Sequence, residues 1–129
     1  MSSTAAPRPG GLRRMLRRLT SSEQELQAEE LRHDAEEVGA TPIVDAADRN
    51  RVKVCGMIKT VTLRPRAGVP ALLAELYDGS DTLQLIWLGR RQIAGIEPGR
   101  WLVAEGRITV QQGRRTMFNP RYELRPLGQ

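Results

Sequence analysis

The hydrophobic period of this chain changes once, at Arg51. From there the run RVKVCGMIKTVTL alternates Val52, Val54 and Gly56 with Arg51, Lys53 and Cys55, the two-residue period of a β-strand. The run is rich in Val and Thr, as strands prefer. It is long for one strand, and the internal Gly56 marks a bulge or sharp bend. A long strand that bends can pair with different neighbours along its two halves, which is how a small sheet closes without free edges.

The remaining chain supplies the partners. RPRAGVP reads as a loop, ALLAELY as a second strand, DGSD as a tight turn and TLQLIWL as a third strand. GRRQIAGIEPG reads as a connection with one helical turn at its centre. WLVAEGRITV is a fourth strand with Gly106 inside it, QQGR a hairpin turn, and RTMFNPRYELRP a fifth strand interrupted at Pro120. The pattern predicts an all-β, five-stranded barrel over residues 51–126. Its inward set is Val52, Val54, Ile58, Leu72, Ala74, Leu76, Leu83, Leu85, Leu102, Ala104, Ile108 and Val110. These side chains are aliphatic and modest in size, which suits a narrow interior. Trp87 falls on the inward parity, and Trp101 on the outward one at the start of the fourth strand. An SH3-like barrel is the alternative architecture.

Residues 1–50 read differently. MSSTAAPRPG is small, polar and Pro-containing, the composition of a disordered tail. Residues 11–50 read as a helical N-terminal arm. Leu12, Met15, Leu16 and Leu19 share one helical face, with Arg13, Arg14, Arg17 and Arg18 around the rest. Ser22-Glu23-Gln24-Glu25 reads as a capping box that opens a second helix to about Val38, stopped by Gly39. That helix is acidic and thin in apolar residues, so it either packs weakly on the barrel or stays solvated. The basic segment admits two readings: a contact for nucleic acid or an anionic membrane, or an arm whose Arg residues pair with the acidic helix that follows.

Charge divides along the same line. Residues 1–50 hold seven Arg and nine acids; residues 51–129 hold thirteen basic and six acidic residues, so the chain's net +5 understates the second part. A domain carrying +7 attracts polyanions at modest salt. Of the 20 basic residues 18 are Arg; guanidinium matches phosphate geometry, and a GC-rich genome gives the same bias. The lone Cys55 permits no intramolecular disulfide, which points to a reducing, cytoplasmic compartment. No secretory signal is expected, and no apolar run approaches the roughly 20 residues of a spanning helix.

Here the residues carry a resemblance. Ala74-Glu75-Leu76-Tyr77-Asp78-Gly79, followed by Thr82-Leu83-Gln84-Leu85-Ile86-Trp87, resembles the second and third strands of OB-fold nucleic-acid-binding domains of the tRNA-anticodon-binding type. Asn119-Pro120-Arg121-Tyr122-Glu123-Leu124 resembles the final strand of the wedge domain of bacterial branch-migration helicases. The whole chain, with LRRLTSSEQELQAEEL and WLGRRQIAGIEPGR, is similar to small single-domain actinobacterial OB-fold proteins. The resemblance implies a five-stranded OB-fold β-barrel preceded by an N-terminal helical arm. It also implies nucleic-acid binding, to single-stranded or structured DNA or RNA, without the motor or synthetase activities of those larger proteins.

OB folds bind on the outer face of strands two and three, between the first and last hairpin loops. Parity puts Leu73, Glu75 and Tyr77 of the second strand and Thr82, Gln84 and Ile86 of the third on that face. The resemblance implies that Gln84 hydrogen-bonds a base; a side-chain amide both donates and accepts, which suits an unpaired base edge. Tyr77 is a stacking candidate or an ordinary half-buried strand aromatic. Phe118 joins the surface from the fifth strand. Arg64 and Arg66 in the first loop, Arg114 and Arg115 at the last turn, and Arg121 on the fifth strand are the phosphate contacts; Arg90, Arg91 and Arg107 extend the basic rim. A solvated rim that only keeps the protein soluble is the bland reading. Aromatic residues are 4% of the chain, so modest affinity and little sequence specificity are expected.

No Walker-type loop is present, and His33 and Cys55 are the only His and Cys, too few for a usual zinc site in one chain. Asp78 and Asp81 suit a turn's backbone groups better than a metal. No cofactor and no enzymatic activity are expected. The competing function is a protein-interaction module, since OB barrels also bind proteins. A third reading has the acidic helix covering the basic face.

Overall fold

The computed structural model describes residues 7–125, with side chains from Ser22 onward. Strand β1 spans Arg51–Leu63, β2 Ala71–Tyr77, β3 Thr82–Leu88, β4 Trp101–Arg107, β5 Thr109–Gln111, β6 Arg114–Phe118 and β7 Arg121–Leu124. They form one sheet in the order β5-β6-β3-β2-β1-β4-β7. The expected closed, five-stranded barrel is therefore corrected to an open seven-stranded ladder. Two of the expected strands are each cut in two. The fourth breaks at Ile108 into β4 and β5, and the fifth at Asn119-Pro120 into β6 and β7. Asn119 has φ 49° and Pro120 has no N–H to donate, so neither continues a ladder. The first piece, β6, pairs parallel with β3; the second, β7, pairs antiparallel with β4.

The long first strand works as its length demands. Residues 51–57 pair with β4 and residues 57–63 with β2. The irregularity falls between Ile58 and Thr60, a little beyond Gly56. Gly56 has a different use: a Cβ there would collide with the Tyr77 carbonyl oxygen, so the end of β2 can cross only a residue without one.

Ten of the twelve expected inward residues are buried, and Val52 packs partly buried against them. Val110 is the correction: it is 44% exposed. Ile108 leaves the ladder and instead exchanges backbone hydrogen bonds with Arg49 and Asn50, at 2.8 Å each. That break resets the inward–outward parity, and β5 carries Val110 out to solvent. Trp87 is buried as expected. The connection between β3 and β4 holds turns and no helix; it lays Ile93 and Ile96 onto the core, where Ile43, Ala46 and Met117 also join. The packing unit thus begins before Arg51: a 3-10 turn, Ile43–Asp45, closes part of the interior.

One helix, α1 (Pro7–Glu37), replaces the two expected. Residues 1–6 of the expected tail lie outside the described residues, and Pro7–Gly10 are the start of α1. Ser22, expected to cap a new helix, sits inside this one, where Ser costs only a few tenths of a kcal/mol. The C-terminal part of α1 rests on β1 and buries Leu31 and Ala35. Gly79 lets it approach the β2–β3 turn, since a Cβ there would collide with the Ala28 carbonyl oxygen.

Candidate functional site

Strand register decides which side chains share the outer face. Leu73 of β2 lies opposite Ile86 of β3, which neighbours Phe118 of β6; Thr62 of β1 extends that row on the other side. Thr60, Glu75, Gln84 and Thr116 form the next row, and Tyr77 and Thr82 the third. The face expected on β2 and β3 therefore exists and widens onto β1 and β6.

Its polar groups are partly engaged with one another. Thr60 Oγ1 donates to Glu75 Oε1 at 2.6 Å, and Thr116 Oγ1 donates to Gln84 Oε1 at 3.3 Å. That bond orients the Gln84 amide with its carbonyl end toward β6. A groove of 260 Å³ opens here, lined by Glu75, Asp81, Thr82, Gln84, Gly113, Arg114 and Arg115. The aromatic members sit at opposite ends of the face, each beside a cation. Lys59 Nζ lies 4.8 Å from the Tyr77 ring centroid, and the Arg66 guanidinium carbon 5.2 Å from that of Phe118, both within cation–π range.

The two hairpins meet above Phe118. Residues 66–69 form a two-residue hairpin closed by paired backbone hydrogen bonds between Arg66 and Val69, at 2.8 Å each. Arg66 Nη2 donates to Gln111 Oε1 of the β5–β6 hairpin at 3.3 Å. Arg64 and Arg114 are exposed, one on each hairpin.

Three of the expected contacts have other surroundings. Arg115 is a tether: Nε donates to the Ala46 carbonyl at 2.9 Å, Nη2 to the Val44 carbonyl at 3.0 Å, and Nη1 to Asp81 Oδ2 at 2.9 Å. Its parity within β6 sends it away from the outer face, toward the strap at residues 43–46. Ile86 is 1% exposed, so it supports Leu73 and Phe118 from between rather than meeting a ligand. Arg121 pairs with Glu105 across β4–β7 and lines a separate groove with Lys53 and Tyr122, away from β2 and β3. Lys59 and Thr60 belong to the face and were missed; Thr116 shares the Gln84 row but is fully buried and serves to hold Gln84. The β1 irregularity exposes Lys59 and Thr60 in succession, which alternation cannot anticipate.

The Asp78-to-Asp81 turn serves the fold. Asp78 is buried, and its carboxylate accepts from Ile43 N at 2.8 Å, Ser80 N at 2.8 Å, Ser80 Oγ at 2.6 Å and Asp81 N at 3.1 Å. Ser80 Oγ in turn accepts from Val44 N. Among the described residues no group of three or more His, Cys, Asp or Glu could hold a metal ion. Cys55 is buried where α1 lies on β1. Burial pushes its thiol up to about 11, with Asp34 and Asp78 adding to the rise and Arg125 opposing it. A thiol so protonated is a poor nucleophile. No helix among the described residues is long and apolar enough to cross a membrane.

A family model described as OB-fold nucleic acid binding domain, of the tRNA anti-codon group, matches residues 52–125, more than half of the chain. No curated protein matches it.

Proposed function

Because the chain belongs to the family of OB-fold nucleic acid binding domains, we propose that it binds single-stranded or locally unpaired nucleic acid on the outer face of β2, β3 and β6, with low sequence specificity and no catalytic step. The observation that carries this reading is the position of Arg64, Arg66 and Arg114. They stand on two hairpins joined by the Arg66–Gln111 hydrogen bond at the Phe118 end of the outer face; Arg114 lines the groove with Gln84, and Tyr77 lies at the other end of the face. The Arg residues take phosphates, and Lys59 adds a fourth cation. The Gln84 amide hydrogen-bonds a base edge, and the two rings offer stacking platforms. Glu75 in the same groove, with its carboxylate held by Thr60, limits affinity by repelling phosphates. The buried, protonated Cys55 suits a reducing compartment such as the cytoplasm.

The test is fluorescence anisotropy with labelled DNA and RNA oligonucleotides over a salt series. The triple variant Arg64→Ala, Arg66→Ala, Arg114→Ala is expected to weaken binding by about tenfold or more at low salt. It should also flatten the slope of log K against log salt by about two. Unchanged affinity in the triple variant defeats the assignment of the face. Absence of binding at low salt defeats nucleic-acid binding and leaves the protein-interaction alternative.

A further inference from the structure

Away from β2, β3 and β6, the ladder carries a second concentration of positive charge. Register puts Arg51 of β1 directly opposite Arg107 of β4, and Lys53 opposite Glu105, which in turn lies opposite Arg121 of β7. These side chains share the outer side of the ladder, because Val52, Val54 and Ala104, which alternate with them, pack on the inner side. Arg51, Lys53, Arg107 and Arg121 are all exposed. Like charges directly opposite each other destabilise a sheet, so the Arg51–Arg107 pair works against the fold. The acid nearest in the register, Glu105, lies between Lys53 and Arg121. Among the described residues the ion pairs are His33–Glu37 and Arg115–Asp81, and neither includes a cation of this group.

The same side has a groove and a ring. The groove, of 300 Å³, is lined by Val38, Lys53, Val103, Arg121, Tyr122 and Arg125, with Glu105 and Glu123 among them. Tyr122 is 39% exposed, and its ring stands edge-on to the buried Trp87, with centroids 5.5 Å apart. A ring already held in place loses little freedom when a base stacks on it. The helix α1 separates this surface from the first one. It passes the β2–β3 turn where Ala28 meets Gly79, crosses β1 where Cys55 is buried, and ends beside the groove at Val38. Glu29, Glu30, Asp34, Glu36 and Glu37 are exposed along that course. A single run of phosphates joining the two surfaces would have to cross these acids, so each surface takes a segment of its own.

We propose that the outer side of β1, β4 and β7 is a second binding surface for single-stranded nucleic acid, so that one chain bridges two segments. The proposal rests on the reading of the first face for the class of its ligand. A phosphate seated between Arg51 and Arg107 turns their repulsion into two attractions, and guanidinium forks suit it. The next rung, Lys53 to Arg121, is two residues away, about 7 Å along the strands, which is the scale of one nucleotide step. Tyr122 takes a base. An acidic peptide would use the cations and leave the ring idle. Glu105 and Glu123 in the groove hold the affinity down.

Titration of the full chain with a labelled oligothymidylate of about five nucleotides, enough for one surface and too short for both, tests this at about 0.05 M salt. Two oligonucleotides per chain are expected. Arg51→Ala with Lys53→Ala, Arg107→Ala and Arg121→Ala should leave one, and so should the triple variant Arg64→Ala, Arg66→Ala, Arg114→Ala. The milder pair Arg51→Gln with Arg107→Gln, which keeps side-chain size, should weaken the second oligonucleotide by about tenfold. Donor- and acceptor-labelled oligonucleotides should show energy transfer on the parent chain and none on either multiple variant. A stoichiometry of one in the parent chain overturns the proposal; if that one is lost in the triple variant, the first face stands by itself. Two oligonucleotides still bound by the quadruple variant also overturn it. So does a polyglutamate peptide that displaces the second oligonucleotide at lower concentration than the oligonucleotide itself needs, which would assign the surface to an acidic protein. Absence of all binding defeats both surfaces together.

Discussion

Arg114 and Arg115 are neighbours on one short strand and have opposite surroundings. Both border the groove beside Gln84, and Arg114 stands exposed there on the rim of the outer face. Arg115 turns the other way and spends its guanidinium on two backbone carbonyls and Asp81. The same contrast separates the two regions they belong to. The outer face of β2, β3 and β6 keeps several polar ends unspent. The junction of the Asp78–Asp81 turn, Arg115 and the strap at residues 43–46 has nearly all of its polar groups paired within the chain. A side chain that is saturated internally is a part of the fold, and one that is not is available to a ligand.

The largest expected effect tests the junction. Asp78→Ala removes four hydrogen bonds to one buried carboxylate and strands the Ile43 N–H. It should lower the unfolding free energy by about 3–5 kcal/mol in chemical denaturation. A loss under about 1 kcal/mol would erase the distinction drawn between the regions. Gly56→Ala comes next, at about 2–3 kcal/mol, because its Cβ meets the Tyr77 carbonyl.

Arg115→Ala should cost about 1.5 kcal/mol of stability, mostly from the two carbonyls it leaves, because the Asp81 pair is partly solvated. Arg115→Lys should rescue little of this, since an ammonium cannot span three acceptors set for a fork. Arg114→Ala should leave stability within about 0.5 kcal/mol and weaken oligonucleotide binding about threefold. Loss of stability in Arg114→Ala, or loss of binding alone in Arg115→Ala, would invert the comparison.

The smallest effect concerns pH. Folding raises the Cys55 thiol from 9.0 to about 11, so the fold favours the protonated form. The associated stability is complete below about pH 9 and is lost as pH rises through about 11. Thermal denaturation of the chain and of Cys55→Ala across that range should show the steeper decline in the former. Equal slopes would mean that the thiol is more solvated than its burial indicates.

Much of the β-domain was legible from the alternation of small aliphatic residues, because burial of one strand face imposes a period of two. Parity also named the outer face: Leu73, Tyr77, Gln84 and Ile86 all lie on it. Parity failed wherever the chain breaks its own alternation. Val110 follows a break at Ile108, and Lys59 follows the irregularity after Ile58. In the sequence Arg114 and Arg115 read together as turn residues; β6 begins at Arg114, and its parity then sends Arg115 toward residues 44–46 and 81.

The sequence by itself determined the first three strands, the family and the charge division. Those follow from local periodicity, turn chemistry and composition, which act over a few residues. Tertiary structure alone decided that the sheet is an open seven-stranded ladder and that residues 43–46 belong to its core. It also decided which Arg residues remain free. Each of these depends on hydrogen bonds or packing between residues far apart in the chain, as between Ile43 and Asp78. Such pairs leave no periodic trace in either of the segments that form them.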